Sequence, residues 1–292
     1  MSGRLPGWGA RLYVAAQQVL PQHALSRFMY GLARIRLRPL KNLLIRTFLR
    51  LYRIDMAEAS QPDPGAYPHF NAFFTRALRP DTRPQDVDPR AVLCPVDGAI
   101  SQLGRIDEDR VIQAKGRDYR LEELLGGGSG RAHAFTGGAF ATLYLAPRDY
   151  HRIHMPLAGD LTWMRHIPGR LFSVNETTAT LVPRLFARNE RVVCGFDTEA
   201  GAMAMVLVGA IFVGGIETVW AGQITPARAG RQAPGCGSVR LERGAEMGRF
   251  NLGSTVILLF EPGGVRWDEK LAPGQRVRFG QRLGITEPAM RR

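Results

Sequence analysis

The sequence predicts an α+β fold, a mainly β body preceded by a basic, helical N-terminal region. Three observations lead there. From residue 92 onward, short β-type runs alternate with glycine-rich turns. Within residues 41–55 the apolar side chains recur at helical spacing. The charge is lopsided: residues 1–55 hold ten Lys/Arg against the single acid Asp55, so +9 of the net +13 lies there and +4 on the other 237 residues. With 45% apolar and 22% charged residues, a folded core is expected and disorder is not.

Taken in chain order, Leu44, Phe48, Leu51 and Tyr52 fall at i, i+4, i+7 and i+8, with Arg46, Arg50 and Arg53 on the opposite face. Upstream, Phe28, Leu32 and Ile35 suggest another helix, which Pro39 would end. A basic amphipathic helix with almost no acids to pair its arginines suits an anionic surface. Residues 56–92 are rich in Pro and Asp and read as a linker around one aromatic helix, 69–78. The division that follows is a helical, membrane-associated region at 1–60 and a catalytic domain at 61–292. In the latter, strands are expected at 141–146, 204–213, 217–221, 255–260 and 276–279, with a helix at 121–125 turned by Gly126-Gly127-Gly128.

Several classes are disfavoured. The longest apolar run in the body, 201–216, has 16 residues interrupted by glycines, whereas a membrane span needs about 20. Residues 12–26 have neither the compact apolar run nor the cleavage site of a secretory signal. An Arg-rich, acid-poor start also fits a transit peptide, but serine is confined there to Ser2 and Ser26. Cys94, Cys194 and Cys236 are odd in number and far apart, which gives no disulfide framework and no zinc pattern and suggests a reducing compartment.

Three segments can carry chemistry. Pro95-Val96-Asp97-Gly98 sets an acid beside a glycine at a strand end, although an ordinary Asp-Gly turn reads the same way. Residues 148–156 (RDYHRIHMP) put His151 and His154 three residues apart; structural histidines or a metal pair compete, but no third ligand stands at diagnostic spacing. Leu252-Gly253-Ser254-Thr255 precedes an uncharged, β-branched run. A serine hydrolase would need G-x-S-x-G with a helix after the serine, and here a strand follows. Glycine leaves its carbonyl open to attack by the next side chain. A serine oxygen deprotonated by a histidine could convert that amide to an ester; elimination then leaves dehydroalanine, and hydrolysis gives an N-terminal pyruvoyl group.

On these residues the chain resembles the bacterial phosphatidylserine decarboxylases, which are self-processing proenzymes. The likeness extends to residues 70–79 (FNAFFTRALR), 113–125 (QAKGRDYRLEELL), 167–175 (IPGRLFSVN), 189–194, 216–222 (IETVWAG) and 243–260 (RGAEMGRFNLGSTVILLF). It runs from about residue 40 to 285 and is weakest over 1–40.

The resemblance implies that cleavage between Gly253 and Ser254 yields a large chain, 1–253, and a small chain, 254–292, which stay together as a heterodimer and can pair again as a homodimer of these. Ser254 becomes the covalent pyruvoyl cofactor, which forms a Schiff base with phosphatidylserine and releases phosphatidylethanolamine and carbon dioxide. His154 is implied as the base that activates Ser254, Asp97 as its orienting acid, and His151 as proton donor or acceptor in decarboxylation. Spacing alone does not choose between the two histidines. No metal and no nucleic acid partner is implied. The place of work is the cytoplasmic face of the cell membrane, held peripherally on anionic lipid. Two other readings differ in class: a non-enzymatic membrane or nucleic-acid binder whose β body is a scaffold, and a pyruvoyl enzyme acting on a soluble amino acid. The basic amphipathic N-terminus argues against the soluble substrate.

Overall fold

The structure, a computed structural model, describes residues 7–114, 116–128, 130–211, 215–226, 239–251 and 254–287; Cys236 and Gly253 lie outside them. The N-terminal region forms helices α1 (Trp8–Val19), α2 (Gln22–Leu32) and α3 (Arg38–Tyr52), and a short helix α4 (Phe70–Phe74) follows. Eight strands carry the site: β1 (Gly98–Arg105), β2 (Ala139–Leu145), β3 (Arg152–His154), β4 (Gly159–Ile167), β5 (Arg191–Thr198), β6 (Gly201–Val208), β7 (Glu246–Phe250) and β8 (Ser254–Phe260).

The main sheet is antiparallel in the order β4-β5-β6-β8-β2-β1, extended at its edges by two-residue strands at Arg240–Leu241 and Arg276–Val277. A second, four-stranded sheet carries β7 beside β3. The predicted α+β class is therefore what the chain forms. Strand β8 lies in the interior of the main sheet, with Ser254 opposite Leu145 of β2 and Thr255 opposite Val208 of β6. All seven of its residues are buried. Val256, Leu258 and Phe260 enter one apolar cluster, and Ile257 and Leu259 enter the one on the other face. A strand covered on both faces needs no polar alternation, which is why this run is continuously apolar.

Four expectations are corrected. Pro39 opens α3 rather than ending the preceding helix, because in the first helical turn its missing N–H has no partner to lose. The aromatic helix spans 70–74, shorter than 69–78. The stretch read as a linker is part of the packing: Phe70, Phe73 and Phe74 are buried with Ile45 of α3 in a third apolar cluster. The inward face of α3 is set by Lys41 and Ile45, with Phe48 packed edge-on to Phe70 and Phe73, while Leu51, placed on that face by spacing, is exposed. The turn at Gly126 needs φ +88, and a Cβ there would meet the Ile167 side chain at 2.7 Å.

Candidate active site

The site lies where β1 and β8 begin and β2 ends. Gly98 starts β1 so close to β2 that a Cβ would sit 2.3 Å from the Tyr144 carbonyl oxygen. This close approach is the physical reason for a glycine after Asp97, and it fixes that carboxylate at the same end of the sheet as Ser254, whose cross-strand partner is Leu145. The Ser254 hydroxyl is buried and has no hydrogen-bond partner among the described residues. Leaving a buried hydroxyl unpaired costs about 1–3 kcal/mol, and such groups in a native fold point to a functional use.

Asp97 is 6% exposed. Arg83 donates to it through Nε at 3.0 Å and Nη2 at 2.6 Å, and the Phe279 amide donates at 2.9 Å. Arg83 also reaches Glu58 at 2.7 Å. Burial alone would lower the Arg83 pKa, but its hydrogen bonds to Asp97 and Glu58 prevail and raise it.

Phe279 links His154 to the acid: its ring stacks on the imidazole at 3.7 Å while its N–H binds Asp97. The His154 Nδ1 lies 2.9 Å from the Gly244 carbonyl oxygen. A carbonyl can only accept, so Nδ1 carries the proton. Burial lowers the pKa of this histidine, which leaves Nε2 as an acceptor, and the Tyr150 hydroxyl donates to it at 3.0 Å. Burial likewise raises the pKa of Tyr150, which keeps that hydroxyl protonated.

His151 is fully buried and stacks on Phe74 at 4.1 Å. By the same reasoning its Nε2–H donates to the Ala146 carbonyl at 3.1 Å, one residue beyond Leu145, leaving Nδ1 buried and unpartnered among the described residues. Burial, followed by the nearby Arg76 charge, pushes its pKa down to about 3. At neutral pH it is therefore an uncharged base with an open lone pair.

The fold thus gathers Asp97, His151, His154 and Ser254 around one end of the main sheet. It shows no hydrogen bond from Asp97 to His154, nor from either histidine to Ser254, among the described residues. Sequence reasoning missed Arg83, Tyr150, Phe279, Phe74 and Arg76. Tyr150, Phe74 and Arg76 lie inside segments already singled out, so proximity in sequence was a usable signal; Phe279 was read only as the end of a strand, and Arg83 gave no signal.

Neither of the two thiols described belongs to this group. Cys94 is buried and pushed up to about 12 by desolvation, as an inert thiol would be, and Cys194 is buried in the core. Among the described residues no cluster of three His, Cys, Asp or Glu could hold a metal, and no helix is long and apolar enough to cross a membrane.

The family model for phosphatidylserine decarboxylase matches residues 70–285, and a second model, described as PSD, matches 12–53. A phosphatidylserine decarboxylase proenzyme of Ectopseudomonas mendocina is 57% identical over 279 residues, covering 94% of this chain and 98% of its own length. Proenzymes of the same name from Pseudomonas fluorescens and Stutzerimonas stutzeri are 55% and 56% identical, covering 95% and 94% of this chain and 98% and 94% of their own. The likeness therefore extends well ahead of residue 40, where the sequence reading had it weakest. The chain belongs to the phosphatidylserine decarboxylase family of carboxy-lyases.

Proposed function

We propose that this member of the phosphatidylserine decarboxylase family converts phosphatidylserine to phosphatidylethanolamine and carbon dioxide, using a pyruvoyl group that it makes from its own Ser254. The observation that carries the reading is the buried, unpartnered Ser254 hydroxyl at the head of an interior strand, at the end of the sheet where Asp97 precedes β1 and His151 is held at the Ala146 carbonyl. A prosthetic group formed in place needs no entry path, and a sealed position suits it. That group supplies a ketone conjugated to a carbonyl, which accepts the electron pair left when carbon dioxide departs.

The chain's own residues do the rest. In self-cleavage, the Ser254 oxygen bonds to the Gly253 carbonyl carbon, the amide bond breaks, and the serine proton passes to a histidine base. His154 takes that role in our reading, with Asp97 holding Phe279 and thereby the ring stacked on it. Tyr150 must then release Nε2, because that lone pair is already accepting its proton. A second reading is favoured by one observation: the open lone pair of the site belongs to His151 Nδ1. In turnover His151, held at the carbonyl one residue beyond the cross-strand partner of Ser254, is the base or, once charged, the proton donor.

After the cut, β8 remains hydrogen-bonded to β2 and β6 with both faces in apolar clusters. Each of its five large apolar side chains contributes roughly 1.5–3 kcal/mol, so the 39-residue small chain, 254–292, stays bound to the large one.

The substrate cannot leave the bilayer, and the N-terminal region is the proposed dock on anionic lipid. Trp8, Leu12, Val19, Phe28, Leu37, Leu43 and Leu51 are exposed there, among arginines that supply most of the chain's charge. Each basic residue near an anionic surface is worth about 1 kcal/mol, and apolar side chains add burial in the interface. A soluble scaffold would have no use for such a surface.

The test is the intact mass of the purified protein. Wild type should yield two chains, the smaller starting at residue 254 with a pyruvoyl end, and Ser254→Ala one full-length chain without activity. A Ser254→Ala protein that still splits there would remove the serine mechanism.

A further inference from the structure

Beside Asp97 lies a cleft of about 400 Å³ whose walls include Arg53, Arg76, Arg83, Asp97, Tyr150 and Arg276. Of the six guanidinium groups in its wall, three are committed to carboxylates and two, those of Arg53 and Arg148, belong to exposed residues. Arg83 is held by Asp97 and Glu58, Arg276 by Asp149 at 2.5 Å, and Arg278 by Glu58 at 3.4 Å. Arg76 differs. It is only 6% exposed, has no carboxylate within 4.0 Å among the described residues, and its Nε is buried without a hydrogen-bond partner. Its guanidinium lies 5.5 Å from the centre of the Phe73 ring, and Asp97 and Glu58 act on it by charge without touching it.

A buried cation that no carboxylate contacts is costly, so a fold that keeps one gains by taking up an anion from outside. Arg76 is held firmly enough to be a receptor. It follows α4, whose capping residue Thr75 donates its hydroxyl to the Asn71 carbonyl and accepts from Arg152 Nε through its own carbonyl oxygen. Its charge bears on the His151 imidazole and it shares the cleft with Asp97, so its anion would lie next to the reacting end of β8. The cleft also reaches Arg53, the exposed residue that ends α3, and so runs from the proposed lipid dock toward Asp97.

We infer that Arg76 is the receptor for the phosphodiester of the lipid headgroup, and so selects a phosphorylated serine over the free amino acid. The inference rests on the decarboxylase reading above. The substrate carries two anions, and the chemistry separates them. The carboxylate must lose its charge as carbon dioxide leaves; a buried cation tied to it would stabilise the ground state and slow that step. The phosphodiester keeps its charge throughout, so a cation there contributes equally to ground and transition states. It strengthens binding without opposing the chemistry. The planar guanidinium fork matches two phosphate oxygens, which a lysine cannot do.

Binding can be read without cleavage or turnover. Calorimetry on the full-length Ser254→Ala precursor compares sn-glycero-3-phosphoserine with free serine. The phosphorylated ligand should bind about 10- to 100-fold more tightly, as expected for hydrogen bonds to a charged group. That preference should vanish in the added Arg76→Gln variant and survive in part in Arg76→Lys. In the processed enzyme, Arg76→Lys should raise KM for phosphatidylserine in mixed micelles while kcat changes little. Equal affinity for the two ligands in the precursor would overturn the assignment. So would a kcat loss at unchanged KM, which would place Arg76 at the reacting carbon. A wild-type protein that neither splits nor releases carbon dioxide, yet keeps the phosphate preference, would overturn the decarboxylase reading and leave the receptor standing.

Discussion

Between Trp8 and Leu51 nine large apolar side chains stay exposed, and of the arginines described there only Arg34 sits in an ion pair, with Glu217. The β body treats the same residue types differently. Its exposed large apolar side chains are Val87, Ile112 and Val219, while Arg83, Arg152, Arg240, Arg249 and Arg276 each face a carboxylate. A globular domain buries its apolar surface and pairs or solvates its charge. An unburied apolar set beside unpaired cations is what the proposed lipid dock requires. Arg76 is buried with neither a carboxylate in contact nor a partner for its Nε among the described residues, and it sits in the wall of the cleft.

The largest effect should come from the two histidines, the body's most deeply committed groups. His154→Ala and Asp97→Ala should abolish self-cleavage, whereas His151→Ala should cleave and then decarboxylate poorly, as read by gel and by carbon dioxide release. The opposite pattern, with His151→Ala uncut and His154→Ala processed, would reverse the two roles in favour of the open Nδ1.

The comparison can next be drawn within one helix. Ile45 and Leu51 both belong to α3, one fully buried and the other 70% exposed. Ile45→Ala should lose about 2–5 kcal/mol in denaturant unfolding of the Ser254→Ala precursor. Leu51→Ser should stay within about 0.5 kcal/mol of it. Paired with Leu43→Ser, it should nevertheless weaken co-sedimentation with phosphatidylserine vesicles and leave self-cleavage intact. Binding that is unchanged by the pair, or indifferent to salt, would place the lipid contact elsewhere.

The smallest effect is a slope. His151 titrates at about 3 in the fold and near 6.5 in an unfolded chain, so between those values the unfolded chain binds a proton the native one refuses. Its contribution is fully present above pH 6.5 and falls away as the pH drops toward 3, by at most about 1.4 kcal/mol per unit. In the precursor, His151→Gln should flatten the loss of stability between pH 7 and 5. An unaltered slope would mean that the ring is charged or solvated in solution.

What was legible in the sequence follows from periodicity and local chemistry. The β8 strand could be read because its apolar run has no charge, and the 121–125 helix with its glycine turn because both signals are contiguous. Asp97, His151, His154 and Ser254 were identified by the likeness to a family, since each segment alone has an ordinary alternative. Phe48 was read correctly as apolar but assigned to the lipid face; three phenylalanines from α4 claim it instead, and nothing in the α3 sequence announces them.

The sequence by itself determined the α+β class, the basic helical start, the buried strand after Ser254 and the residue types able to perform the chemistry. These depend on spacing of 2 or 3.6 residues and on charge counts, which are properties of a few neighbouring positions. The tertiary structure alone decided which partners those groups meet. Arg83 reaches Asp97 across 14 positions and Phe279 reaches it across 182. Desolvation, which leaves both histidines neutral and lowers the pKa of Arg76, arises only when distant segments close over them, and burial of that kind has no local sequence signature.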